Sequence, residues 1–143
     1  MRAVYRWWTA ILFGAVLVQI AFAGYGAFYV VDKADDASKS ISNDGVDHGF
    51  SLHQFGYVVI LLGILLVPIA FAAKVDRTRK HMSGVIALLL ILQFFLAVLG
   101  WAWAPLGFLH PLNAIAIAAV TGIVARREWK TGDLPAVATG AVD

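Results

Sequence analysis

The sequence predicts an all-α integral membrane protein: an antiparallel four-helix transmembrane bundle with both termini on the cytoplasmic side. Three observations point there. Of the 143 residues, 61% are apolar and only 14% charged, well below the roughly 25% charged usual in soluble domains. The apolar residues come in long runs: Tyr5–Val31 holds one charge, Arg6, and neither His48–Ala73 nor Met82–Ala125 holds any Asp, Glu, Lys or Arg. The basic residues gather at connections that share one side of a membrane if there are four spans.

A hydrocarbon core about 30 Å thick takes roughly 20 apolar residues per helix. The first two runs supply one span each, and the third, about 44 residues long, supplies two. Its break falls in WAPLGFLHP, where Pro105, Gly107 and Pro111 interrupt a helix because proline removes helix hydrogen bonds. The spans are therefore expected at about 7–31, 52–73, 83–104 and 110–126. Backbone groups in lipid must be satisfied within a helix or a closed barrel. These runs are too long for barrel strands and lack their period-two alternation. Residues 1–130 are expected to form the transmembrane domain, and 131–143, small and polar with Pro135, a disordered cytoplasmic tail.

Orientation follows from charge. Arg2 and Arg6 precede the first span, KVDRTRKH (Lys74–His81) joins the second to the third, and Arg126, Arg127 and Lys130 follow the fourth. Positive residues mark the cytoplasmic side, so the 32–52 loop, with five Asp against Lys33 and Lys39, lies outside. The expected location is the cell (plasma) membrane, with the lipid bilayer as the first partner. A net charge of +2 gives no reason to expect nucleic acid. Trp7 and Trp8 at the inner edge, Trp101 and Trp103 at the outer edge, and Trp129 inside again all read as interfacial anchors. Arg2, Arg6 and the A-x-A run Ala21–Ala23 also read as a cleavable signal peptide, although the apolar run continues to Val31.

The absence of cysteine excludes disulfides, thiolate-held iron–sulfur clusters and covalent c-type haem. The spans hold few polar groups. Gln19 and Gln93 sit near the middle of the first and third, as amides that bond across helices or contact a cofactor or quinone. His53 opens the second span and His110 the fourth, both at the outer end. The distance from His53 to Lys74 is about 31 Å and from His110 to Arg126 about 24 Å at 1.5 Å per residue, so the apolar APLGFL turn can dip to bring both rings to one level. Bundle cores hold cofactors between facing helices, and ionisable groups within membrane segments default to function. A His pair on diagonal helices suits bis-histidine ligation of a haem iron, since a lone small metal wants three or four ligands. On the face of His53 lie Gly56, Tyr57 and Gly63; on that of His110 lies Asn113, and the glycines would clear space for the macrocycle. Pro111 suits the first turn of its helix. His48 stands five residues before His53, off its helix face, and His81 in the basic loop reads as solvated.

The stretches LHQFGYVVILLG and LHPLNAIAIAAVTGIVARR, with the basic loop between, resemble half of haem A synthase and other four-helix membrane b-type cytochromes. They are similar, more closely, to an uncharacterised family of small prokaryotic four-span membrane proteins, over about residues 3–127. The resemblance implies a bis-His haem b between His53 and His110. It does not carry over the synthase reaction. The position three before the first histidine, Glu in that pattern, is Phe50, and the following Arg is Gln54. The synthase also joins two such bundles, which a homodimer would rebuild. The expected function is electron transfer rather than catalysis, from quinol or as part of a respiratory complex. Lys33, Lys39, Trp101 or Trp103 would meet the haem propionates. The alternatives are a haemless accessory or assembly subunit and, against spans free of internal charge, a small transporter.

Overall fold

The computed structural model describes residues 1–34 and 43–132. The helices are α1 (Arg2–Ala34), α2 (Asn43–Phe50), α3 (Gly56–Ala72), α4 (Arg77–Ala102), α5 (Ala104–Gly107) and α6 (Leu109–Gly132), with a 3₁₀ turn over Leu52–Phe55. Among the described residues, four helical segments are long and apolar enough to cross a membrane: Arg2–Lys33, Leu52–Ala72, Arg77–Ala102 and Ala104–Lys130. The expected tail lies largely outside the described residues, as does Lys39; α6 itself continues to Gly132.

Each long helix buries one stripe at helical spacing. On α1 it is Tyr5, Thr9, Leu12 and Val16; on α3, Val59, Gly63, Leu66 and Ala70; on α4, Ser83, Ile86, Leu90 and Leu96; on α6, Asn113, Ile117, Thr121, Val124 and Glu128. The opposite faces are apolar too, with Leu17, Phe28, Phe71, Leu88 and Ile115 exposed. A helix apolar all round is built for lipid. The inner stripe is marked by small and polar residues, which let helices approach and bond. A Cβ at Gly63 would overlap Leu90 Cδ1, so this glycine sets the approach of α3 to α4.

α1 packs on α3 and α6, and α4 packs on the same two, so α3 and α6 face one another across a diagonal. At one end Tyr5 Oη and Ser83 Oγ are 3.0 Å apart. Ser83 spends its own proton on the Arg79 carbonyl, so Tyr5 is the donor. There too the guanidinium of Arg79 bonds the carboxylates of Glu128 and Asp76.

Besides the extension of α6, the structure departs from the expected boundaries elsewhere. α4 begins at Arg77, not near 83, because Asp76 caps it: its carboxylate accepts from the Arg79 N–H at 3.0 Å. α1 runs past both ends of its expected span. A helix, α2, stands inside the expected acidic loop and packs against α1, where a Cβ on Gly26 would fall 2.9 Å from the Gly49 carbonyl oxygen. Trp8 is more than an interfacial anchor: its indole N–H donates to the Leu62 carbonyl at 2.9 Å, tying α1 to α3.

Candidate functional site

His53 lies in the 3₁₀ turn that leads into α3, and His110 in the first turn of α6. Their ring centres are 6.0 Å apart and their planes inclined at 76°. Both rings are half-buried. The two come from diagonal helices, so neither helix's own packing brings them together; the helices between them do.

Each ring is held through Nδ1 by the backbone of the span before it. His53 Nδ1 is 3.3 Å from the Gln19 carbonyl oxygen on α1. His110 Nδ1 is 3.2 Å from the Gln93 carbonyl oxygen on α4. The same contact therefore occurs twice, once in each pair of spans. The two histidines stand in similar stretches, LHQFG and LHPLN.

The glutamine side chains complete the two halves differently. With its amide oxygen turned to the Gly56 N–H, 2.8 Å away, Gln19 places its amide nitrogen 3.1 Å from the His53 carbonyl oxygen and 3.0 Å from His53 Nδ1. It thus serves a backbone N–H in the opening turn of α3, where helix geometry leaves the amides unpaired. Gln93 Oε1 accepts from Asn113 Nδ2 at 2.7 Å, and the same nitrogen reaches the Leu89 carbonyl at 2.9 Å. Asn113 is 9% exposed, so this pair closes a polar contact between α4 and α6 away from lipid.

The remaining expected site residues are spread along the bundle. Gly56 adjoins Gln19, and a Cβ there would sit in ordinary contact 3.6 Å from the Gln19 side-chain amide. Tyr57 is 65% exposed, on the outer surface with its ring 6.2 Å from that of Phe94. Gly63 lies ten residues beyond His53, about 15 Å along a helix, and its open side is filled by Leu90. Neither Tyr57 nor Gly63 joins the histidine pair. His48, on α2, is exposed with its ring 5.4 Å from Tyr29. Phe50 places its ring edge-on to His53, centres 6.3 Å apart. Trp101 and Trp103 are exposed.

Among the described residues no group of three or more His, Cys, Asp or Glu converges to hold a metal ion. The donor set at this end is two imidazoles. The chain matches no protein-family model, no curated protein and no solved structure.

Sequence reasoning found His53 and His110 from their place at span ends, and it singled out both glutamines. What it lacked was the link between them. A glutamine carbonyl leaves no mark in the sequence, because any residue at that position offers one.

Proposed function

We propose that the chain is a small membrane cytochrome b, which holds one haem b between His53 and His110 and carries electrons, from a quinol or within a larger redox complex. The observation that carries this reading is the 6.0 Å between the two ring centres. Metal–imidazole bonds of about 2 Å on either side of one ion place two ring centres about 6 Å apart. The pair therefore fits an iron held from both sides. The contact at His110 Nδ1 fits as well. A ring that donates Nδ1–H to a carbonyl leaves Nε2 as the basic, ligating nitrogen, and metal-bound histidines are oriented in this way.

A haem held by His53 and His110 would supply one-electron chemistry. The chain's own residues do the rest. The Gln93 carbonyl fixes the His110 tautomer, and the backbone carbonyl and side-chain amide of Gln19 together orient the His53 ring. Gln19 sets the turn that carries His53, and Asn113 steadies Gln93 beside His110. The apolar walls of α3 and α6 keep the pair out of bulk water.

The same reading runs the four spans antiparallel in the cell membrane, with both termini and the Arg79–Glu128 end cytoplasmic and the histidines near the outer face. Its support is the placing of Arg2, Arg6, Arg126 and Arg127 at that end. A homodimer would set two such bundles side by side.

Haemin titration tests the ligand assignment. Purified protein stripped of haem is expected to develop a Soret band that saturates at one haem per chain, and His53→Ala and His110→Ala each to weaken it. Haemin that gives no Soret band with the folded wild-type protein overturns the reading.

A further inference from the structure

We propose that the cleft at the opposite, basic end of the bundle binds a phosphate group, that of an anionic phospholipid headgroup. The cleft has a volume of about 470 Å³, and its wall includes Arg2, Arg6, Asp76, Arg79 and Glu128. Three guanidiniums thus face two carboxylates, and Arg79 engages both of those carboxylates. Arg2 is exposed, and the Nε–H of Arg6 is buried without an acceptor. Arg6 does stack on Trp129, its Cζ 4.7 Å from the ring centre. Stacking engages the face of a guanidinium and leaves its in-plane N–H groups unserved. A buried donor of this kind is costly to leave unpaired.

Arg2 and the rest of the Arg6 guanidinium line the cleft, where an anion from outside the chain can reach them. The cleft opens on the first turn of α1, where the leading amides have no helical partner and the helix dipole favours negative charge. A guanidinium presents paired N–H groups that match two oxygens of one phosphate. The level of the cleft selects the source. Trp7, edge-on to Trp129 with centres 4.9 Å apart, flanks Arg6, and tryptophans gather at the headgroup layer. Basic pockets between spans at that layer take anionic headgroups. Arg6 and Gln19 are thirteen residues apart on one helix, about 20 Å, so this site stands or falls independently of the haem.

The test uses the full chain in a non-ionic detergent, titrated separately with short-chain phosphatidylglycerol, short-chain phosphatidylcholine and inorganic phosphate, with bound ligand read by native mass spectrometry. Phosphatidylglycerol is expected to bind about ten-fold more tightly than phosphatidylcholine. Arg6→Gln and, separately, Arg2→Gln are each expected to reduce that preference several-fold, while Arg77→Gln, exposed and outside the cleft, leaves it unchanged. Displacement of phosphatidylglycerol by inorganic phosphate supports a phosphate-centred site. Inorganic phosphate bound without any preference for phosphatidylglycerol overturns the lipid source. Equal retention of both lipids without phosphate binding overturns the proposal, as does a preference that survives Arg6→Gln. If Arg6→Gln does not fold, Arg2→Gln decides: an unchanged preference overturns the site.

Discussion

The two glutamines show how little polar chemistry a lipid-embedded bundle needs to fix two rings. Each contributes a carbonyl to a histidine and a side chain to the helix that carries it. Gln93→Leu removes the acceptor of Asn113 Nδ2 and leaves it only the Leu89 carbonyl. The expected cost is about 1 kcal/mol, read as a lower Tm in detergent. The glycines offer a contrast. Gly63→Val drives a branched side chain into Leu90 and is expected to destabilise by about 1–3 kcal/mol, the usual cost of overpacking. Gly56→Ala places its methyl in ordinary contact with Gln19 and is expected to leave Tm unchanged or slightly raised. Equal losses at both positions would contradict the packing described for α3 and α4.

At the scale of the elements, the junction between α3 and α4 holds the clearest local physics. Lys74 has φ 51°, a left-handed conformation that favours glycine. The Lys74 N–H bonds the Phe71 carbonyl and the Val75 N–H the Ala70 carbonyl, the paired bonds with which helices often end. Lys74→Gly is expected to stabilise the protein by up to about 1 kcal/mol. Two residues on, Asp76 caps α4. The Arg79 backbone N–H, and then its guanidinium, hold the Asp76 carboxyl below the usual carboxylate range. A group depressed in the folded state stabilises above its unfolded value and loses that contribution as pH falls through the folded one. Asp76→Ala is therefore expected to cost about 0.5–1 kcal/mol of stability at pH 7 for an exposed cap, read as a lower Tm, and to make little difference well below pH 4. An equal loss at both pH values would show that the carboxylate is not the cap. KVDRTRKH reads as a charged loop, and so α4 was expected to start late; the Asp76 cap within it emerged only from the structure. α2 was illegible for another reason: NDGVDHGF has too few apolar residues to show a helical stripe, and its place is set by the close approach of Gly49 to α1.

For the whole molecule, the sequence carried the spans and the structure carried the faces. Apolar runs of membrane length are conspicuous, and four spans follow from them directly. Which side of each helix turns inward is hidden, because lipid is as apolar as the core. Ser83, Thr121, Asn113 and Gly63 mark the inner side, yet small and polar residues have several other uses in a membrane helix. The histidine pair was legible from span ends and spacing alone; that the two rings meet depends on α3 and α6 being diagonal, which the packing of all four helices decides. The half-buried partnership of Arg79 and Glu128 was hidden in the same way, each residue reading as one more charge in a basic cluster. Fusing a reporter after residue 132 is expected to give cytoplasmic signal, and a reporter between 35 and 42 external signal; the reverse would invert the orientation. The central claim is the iron between His53 and His110, and a reduced-minus-oxidised absorbance spectrum of protein purified from haem-sufficient cells tests it most directly. The expected result is a Soret difference band that is lost in the His53→Ala/His110→Ala double variant. A colourless wild-type protein, or a band that survives the loss of both histidines, would contradict it.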